Sequence, residues 1–335
     1  MRKIAVSCGD LNGIGAEILI RSHEELIGKC LPIYCVHEEQ LKQASKLLRL
    51  TMGDNYCFSP PDTRCHKIRP AQVDVEAGRY SFHSFKHALK LYEEKSVGAV
   101  LTLPISKTAW SQAGIKFSGH TDYLRRKYDS PGIMMLGGSE LAVCLFTDHI
   151  PLKQVPENIT EQQLTAFLQG VAASIKTERI PVLGVNPHAG EGGILGEEDA
   201  IISESIDKVN ASLGKDLFFG PIPADSAFTS FNRQKYKFFV AMYHDQGLIP
   251  IKTLYFDESV NVTLNHFIKR ISVDHGTAFN IAYSEKIPSC GSYLTAIDLL
   301  IKWLEKKKSL ELFLNFLLFQ IKLFFCAKTP VQHST

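Results

Sequence analysis

Three histidines, His149, His188 and His244, each follow an apolar, strand-like segment of this 335-residue sequence. Each has a carboxylate or an amide within two residues, namely Asp148, Asn186 and Asp245. Neutral imidazole is the commonest protein ligand for zinc and similar ions, and three protein ligands with an open position are typical of a catalytic metal site. The pattern predicts such a site, although the spacing is long and a structural role for each histidine stays open.

Further polar side chains that can bind an anion follow His244. Lys252, Asn261 and Arg270 occur at intervals of roughly nine residues, and they offer charge and hydrogen-bond donors for a phosphate or a carboxylate. His120 and Thr121, directly after a glycine, add two more donors. Solvated surface positions remain the alternative interpretation for all five residues.

The segment Asp274-His275-Gly276-Thr277 is predicted to open a helix, where free backbone N–H groups can meet an anion. A second glycine-rich segment, Gly13-Ile14-Gly15, resembles a dinucleotide fingerprint but fails it. The third glycine of that pattern is replaced by Ile18, and the strand that follows does not end in an acidic residue. The glycines are therefore interpreted as permitting a tight turn between a strand and a helix.

The elements that position these residues follow an alternating pattern. Apolar, β-branched runs predict strands, and segments 81–94 and 161–174 have apolar residues at helical spacing; the predicted strands are 4–6, 31–36, 97–103, 141–147, 182–185 and 238–242. This alternation predicts an α/β protein with largely parallel strands. Because most of these strands end in polar clusters, we expect the clusters to share one crevice.

Composition narrows the class of protein. A net charge of +2 without a basic, aromatic stripe favours neither nucleic acid nor a membrane as a partner. Eight scattered cysteines fit reduced thiols in a cytoplasmic protein. The Leu- and Phe-rich stretch 310–325 is shorter than the roughly 20 residues that a bilayer span needs, so we expect a terminal helix packed on the body or on a partner subunit.

Several blocks of the sequence together resemble the 4-hydroxythreonine-4-phosphate dehydrogenase family of vitamin B6 biosynthesis. The matching segments are CGDLNGIGAEI, LTLPISK, SGHTDYL, TDHIPL, NPHAGEGG, GPIPADSAF, AMYHDQGLIPIK and FDESVNVTL to DHGTA. The resemblance implies an α/β fold like that of the isocitrate and isopropylmalate dehydrogenases, with the active site in the cleft between two domains. The first domain would comprise residues 1–125 and 276–335, and the second residues 126–275.

The resemblance also implies a reaction. NAD or NADP would oxidise the secondary hydroxyl of 4-phosphooxy-L-threonine, and the resulting 2-amino-3-oxo-4-phosphooxybutanoate would lose CO2 to give 3-amino-2-oxopropyl phosphate. It implies a homodimer that shares each active site, and a divalent ion (Zn2+, Mg2+ or Co2+) on His149, His188 and His244, one of them from the second subunit. The implied substrate ligands are His120, Thr121, Lys252, Asn261 and Arg270.

Two further assignments follow from the resemblance. Asp245 is interpreted as a catalytic proton relay or as a support for the metal ligands, and residues Asp274, His275, Gly276 and Thr277 as the loop that meets the cofactor. The sequence departs from the family's usual residues at Leu11, Asn12 and Ala16, at residues 265–267, and at Asn280 and Tyr283, where the family has Asp and Gly. The last two changes leave the choice between NAD and NADP open. A related dehydrogenase of 4-phospho-threonate or 4-phospho-erythronate, and a metal-binding scaffold without catalysis, are the alternatives.

Overall fold

Strands and helices alternate along the chain in a computed structural model, which describes residues 2–130, 132–138, 140–265 and 267–305. The predicted terminal helix at 310–325 lies outside these residues. The strands, numbered β1 to β11, are Lys3–Ser7, Leu31–Cys35, Cys57–Phe58, Ala99–Thr102, Ile133–Gly137, Ala142–Leu145, Ile180–Leu183, Phe218–Ile222, Phe238–Ala241, Val260–Leu264 and Arg270–Val273.

The helices lie between the strands and cover the sheet. Numbered α1 to α12, they are Gly15–Ile27, Glu38–Leu48, Val75–Glu93, Lys107–Gln112, His120–Tyr128, Val155–Asn158, Glu161–Ser174, Glu198–Leu213, Ala224–Ala227, Ser230–Lys235, His244–Tyr255 and Gly291–Glu305. Side-chain caps start several of them: the Asp74 carboxylate accepts from the N–H groups of Glu76 and Ala77 at α3, and the Thr160 hydroxyl accepts from Gln163 at α7. Such caps satisfy backbone donors that the helix itself leaves unpaired.

The described strands form one mixed sheet in the order β3-β2-β1-β4-β11-β10-β5-β6-β9-β7-β8. Strands β3, β2, β1, β4 and β11 are mutually parallel, and so are β6, β9, β7 and β8. Between these two groups, β10 is antiparallel to both of its neighbours and β5 is antiparallel to β6. The predicted α/β class is thus confirmed, with a single large mixed sheet.

The direction of the strands divides their ends between two edges. Three antiparallel pairings separate β11 from β6, so the two parallel groups run in opposite directions. The carboxyl ends of β1, β4 and β11 therefore lie at one edge of the sheet, and those of β6, β9 and β7 at the other. The expectation that all polar strand ends share one crevice is wrong, because it assumed that the strands are parallel throughout.

The hydrophobic core runs through both parallel groups. One buried cluster includes Ile4 and Val6 of β1, Val182 of β7 and Val240 of β9, and it packs the helices against the sheet. The predicted division at residues 125 and 275 stays a prediction. Within the part of the chain that the structure covers, no helix is both long and apolar enough to cross a bilayer.

Candidate active site

The three candidate metal ligands follow three neighbouring parallel strands. His149 comes after β6, His244 after β9 and His188 after β7, and these strands are adjacent in the order β6-β9-β7. Gln246 joins two of the strand ends, because its side chain accepts from the Met242 N–H (2.7 Å) and donates to the Gly184 carbonyl (2.7 Å). The three histidines therefore follow strand ends at one edge of the sheet.

His149 and His244 are in direct contact, with their ring centroids 5.4 Å apart. The Nδ1 atom of His244 lies 2.7 Å from Oδ1 of Asp245. For His149, the backbone N–H donates to Oδ1 of Asp148 (2.6 Å). The carboxylate of Asp245 thus pairs with Nδ1 of His244, and Nε2 is the ring nitrogen that could bind a metal ion. Metal-binding histidines usually have this arrangement.

His188 lies apart from this pair. It is exposed, it is part of a short turn at 187–193, and it makes no contact with either ring in the described structure. Among the residues that the structure describes, no three His, Cys, Asp or Glu side chains converge to hold an ion. Two imidazoles in contact fit a divalent ion as part of its ligand set. A third protein ligand is not in place among the described residues.

Arg270 is the most unusual charged residue of the site. It begins β11, its exposed fraction is 2%, and no carboxylate of the described residues pairs with it. Its Nε and Nη2 atoms donate to the Thr102 hydroxyl (3.1 and 2.7 Å) and Nη1 donates to the Thr263 hydroxyl (3.3 Å). Burial lowers the pKa of Arg270 to about 9, which still leaves the guanidinium charged at neutral pH.

Two polar atoms close to Arg270 have no hydrogen-bond partner within the described structure. They are Nε2 of His120 and Oδ1 of Asn261, and both are enclosed. Asn261 and Thr263 lie two residues apart on β10 and so point to the same face of the sheet. An enclosed polar atom without a partner costs about 1–3 kcal/mol. An anion on this face can accept from Nε2–H of His120, whereas Oδ1 of Asn261 is an acceptor and needs a donor such as a hydroxyl or an ammonium group.

His120 opens helix α5 and packs edge-on against two aromatic rings. The Phe85 centroid is 4.5 Å and the Trp110 centroid 5.5 Å from that of His120. Burial, together with the charge of Arg270, lowers the pKa of His120 well below its usual value. The ring is therefore neutral at physiological pH, and it can donate one N–H group to a ligand. Thr121, the next residue, is half-buried beside it.

Lys252 lies on α11, about 12 Å along the helix from His244. Its Nζ forms an ion pair with Oδ2 of Asp274 (2.6 Å) and donates to the Asp274 carbonyl (3.1 Å). The hydroxyl of Ser259 also donates to Oδ2 of Asp274. Asp274 therefore serves as the counter-ion that holds Lys252, which the sequence did not indicate.

The segment Asp274–Thr277 is not the start of a helix, and that part of the prediction is wrong. It continues from β11 as an irregular loop, and the next helix begins only at Gly291. The Thr277 carbonyl accepts from the Ile14 N–H (3.0 Å), and a Cβ at Gly13 would lie 2.6 Å from that carbonyl oxygen. The glycine-rich turn at residues 13–15 and the loop at residues 274–277 therefore pack on one another.

One atom of this loop can still meet a ligand. Nε2 of His275 is enclosed without a described partner, and burial lowers the pKa of this histidine. Gly276 has open space where a side chain would be. The loop thus has space beside Gly276 and one polar atom, Nε2 of His275, without a described partner. Asp274, in contrast, already forms an ion pair with Lys252.

An ion pair that the sequence did not reveal connects the two halves of the site. The Asp148 carboxylate accepts from Nη2 of Arg125 on α5 (2.6 Å), next to its hydrogen bond from His149. Although burial alone would raise the pKa of Asp148, its hydrogen bonds from His149 and Arg125 hold that pKa well below its usual range. Helix α5, which begins with His120, is thereby tied to the strand end that carries His149.

The fold and the site together define an α/β protein with a buried arginine that lacks a carboxylate partner among the described residues and a pair of histidines in contact. The sequence profile described as pyridoxal phosphate biosynthetic protein PdxA matches residues 20–300. The chain belongs to this family.

Relatives of high identity have one name in common. A protein of Sulfurimonas denitrificans named 4-hydroxythreonine-4-phosphate dehydrogenase is 48% identical over 88% of this chain and 95% of its own length. A protein of the same name from Helicobacter pylori strain J99 is 46% identical over 89% of this chain and 99% of its own length.

Solved structures with a similar fold include a protein of the same name. The chain is similar to the 4-hydroxythreonine-4-phosphate dehydrogenase of Klebsiella pneumoniae, with a TM-score of 0.76 and 31% identity over 90% of this chain and 97% of that chain. A terephthalate 1,2-cis-dihydrodiol dehydrogenase of Burkholderia xenovorans is 24% identical with a TM-score of 0.61 over 90% of this chain and 97% of that chain, and thus shares the fold.

The unpaired charge of Arg270 leads to a prediction about stability and binding. In buffer without phosphate or sulfate, Arg270→Gln should melt at the same temperature as the wild type or higher, because it removes a buried charge that lacks a counter-ion. Added phosphate should raise the melting temperature of the wild type by mass action and leave that of the variant unchanged. Differential scanning calorimetry measures both effects.

Arg126→Gln is the matched control, since Arg126 is an exposed arginine of α5 that pairs with Asp122 four residues before it. This control should keep the phosphate-induced rise. A large loss of stability in Arg270→Gln together with a normal response to phosphate would mean that Arg270 is a structural residue.

Proposed function

We propose that this protein is a dehydrogenase that oxidises 4-phosphooxy-L-threonine with NAD or NADP and depends on a divalent metal ion. The oxidised product, 2-amino-3-oxo-4-phosphooxybutanoate, then decarboxylates to 3-amino-2-oxopropyl phosphate. The substrate assignment is supported by the relatives of the same name at 46–48% identity. The single observation that carries the proposal is the buried guanidinium of Arg270, which has no carboxylate partner among the described residues and is flanked by unpaired polar atoms.

The anion-binding residues fix the substrate. Arg270 and Lys252 bind its anionic groups, while His120, Thr121 and Asn261 complete the hydrogen bonds that an anion accepts. An anion on this face gives partners to Nε2 of His120 and to the guanidinium of Arg270. Binding therefore removes the cost of leaving these groups buried without a partner. Fixing both ends of a small substrate also orients its carbinol carbon for hydride transfer.

The metal ligands in this proposal are His149, His188 and His244. A bound divalent ion would supply Lewis acidity to the hydroxyl of the substrate and to the ketone of the product. Asp245 accepts a hydrogen bond from Nδ1 of His244 and so orients the ring with Nε2 as the proposed ligand atom. The 274–277 loop is proposed to meet the nicotinamide cofactor through His275 and Gly276.

We also propose a homodimer in which each site uses residues of both subunits. The segment of helix α11 and the residue after it supports this assembly, because Ile249 and Leu254 of α11 and the following Phe256 are 65%, 42% and 66% exposed. Several large apolar side chains exposed in one short segment are typical of a subunit contact. The separation of His188 from the other two histidines points the same way.

Turnover is the direct test. The full-length protein should reduce NAD or NADP with 4-phosphooxy-L-threonine, lose this activity in EDTA and recover it with Zn2+, Mg2+ or Co2+. Removing a residue that hydrogen-bonds a metal ligand lowers metal affinity or activity about 10–100-fold. His244→Ala removes a proposed ligand itself, so its activity should fall by about 100-fold or more. His83→Ala, a histidine of α3 that is not among the proposed ligands, should behave as the wild type.

Each alternative has its own outcome in this assay. Turnover of 4-phospho-threonate or 4-phospho-erythronate alone would replace the substrate assignment by the related sugar-acid dehydrogenase. Metal binding without hydride transfer to any of these compounds would make the protein a scaffold. Full activity in metal-depleted buffer would show that the histidines are not ligands of a required ion.

Mixing two inactive variants tests whether a site is shared. If His188 and His244 of one site come from different subunits, a mixture of His188→Ala and His244→Ala chains forms some dimers with one intact site. After random subunit exchange, about one quarter of the wild-type activity should return, because half of the dimers are mixed and each has one good site of two. No recovery, with subunit exchange verified by native mass spectrometry, would place both histidines of a site in one chain.

A further inference from the structure

The backbone around His188 is strained. His188, Ala189, Gly190, Glu191 and Gly192 all have positive φ, with values of 52°, 53°, 77°, 43° and 69°. Together they form a short left-handed turn after β7. Left-handed helical geometry costs a residue other than glycine roughly 1–2 kcal/mol, and three of these five residues are not glycine. Such a turn persists only where its surroundings hold it in place.

Asp199 supplies the contacts that hold the beginning of this turn. It lies in the first turn of α8 and is 4% exposed. Its Oδ1 atom accepts from the Val185 N–H (2.9 Å), and its Oδ2 atom accepts from the Asn186 N–H (3.2 Å) and from Nδ2 of Asn186 (2.9 Å). One carboxylate therefore binds the last two residues before Pro187 and His188 through three hydrogen bonds.

The turn itself packs directly on Asp199. A Cβ added at Gly190 would lie 3.1 Å from Cβ and 3.1 Å from Oδ2 of Asp199, and one at Gly184 would lie 2.6 Å from Oδ1. The carbonyl of Asn186 accepts from the Ala189 N–H (3.1 Å), which closes the turn on the residue that Asp199 holds. The position of the His188 backbone is thus determined by contacts with one buried acid eleven residues later in the chain.

The neighbouring acid makes a different contact. Glu198 accepts from the side chain of Asn186 (2.8 Å), and in the described structure it accepts from no backbone N–H group of residues 185–192. Both acids begin the same helix, where negative charge is favourable. Only Asp199 binds backbone N–H groups of residues 185 and 186. A comparison of variants at Asp199 and Glu198 therefore separates the effect of charge at the start of the helix from the effect of these backbone hydrogen bonds.

We propose that Asp199 is a positioning residue that holds His188 in its left-handed conformation and so sets the affinity of the metal site to which His188 contributes. The inference rests on the proposed role of His188 as a metal ligand. Asp199 does not contact the ion. It acts through the backbone of residues 185–190, so its loss changes where the imidazole is presented and leaves the ligand atoms themselves in the chain.

The test is a titration of the full-length, metal-free protein with Co2+, followed by its visible absorption and by calorimetry. Asp199→Asn keeps the size of the side chain but turns an N–H donor toward backbone N–H groups. Its Co2+ affinity should fall about 10–100-fold, the usual range for a residue that orients a ligand, whereas Glu198→Gln should stay within about twofold of the wild type. Melting temperatures in EDTA report stability separately.

The outcomes are distinct. If Asp199→Asn only lowers the melting temperature and binds Co2+ as the wild type does, or if Glu198→Gln loses as much affinity, the inference is overturned. If His188→Ala also binds Co2+ normally, the metal-ligand assignment in the proposed function fails first. Should Asp199→Asn not fold, Gly190→Ala serves instead: it forces a side chain against Asp199 at a φ of 77°, and unchanged Co2+ affinity in this variant contradicts the inference.

Discussion

The burial of the Arg270 guanidinium without a carboxylate partner is the constraint on which the rest of the site depends. Taking a charge out of water costs several kcal/mol unless an opposite charge compensates. Two threonine hydroxyls satisfy part of its hydrogen bonding, but they bring no negative charge. The protein holds this arrangement because β4, β10 and β11 are fixed by the sheet on both sides. In the proposed function an anionic substrate supplies the missing charge, so stability is given up for binding.

The mixed sheet explains how that anion-binding face relates to the histidines. Because the two parallel groups run in opposite directions, His149, His188 and His244 follow strand ends at one edge, and the 274–277 loop follows a strand end at the other. Helix α11 spans the distance, with His244 at its first residue and Lys252 two turns later. The Arg125–Asp148 ion pair adds a second connection from α5 to His149. A site of this extent favours a substrate with charged groups at both ends.

The sequence predicted the buried strands well, because strands covered on both faces read as continuous apolar runs. It missed β3, β5, β8, β10 and β11. In β10 and β11, Asn261, Thr263 and Arg270 interrupt the apolar pattern. The helix expected at Asp274 does not form there because the loop packs on the turn at Gly13 and Ile14. A single sequence does not show which distant residues pair, such as Lys252 with Asp274. The family motifs include both of these residues but do not indicate that they pair.

A crystal structure with a divalent ion and 4-phosphooxy-L-threonine bound would show whether Arg270 holds the substrate. We expect an anionic group of the substrate within hydrogen-bonding distance of Arg270 and of Nε2 of His120, and the ion on His149 and His244. Arg270 is not a substrate ligand if the anionic groups contact only surface cations while Arg270 keeps Thr102 and Thr263 as its sole partners.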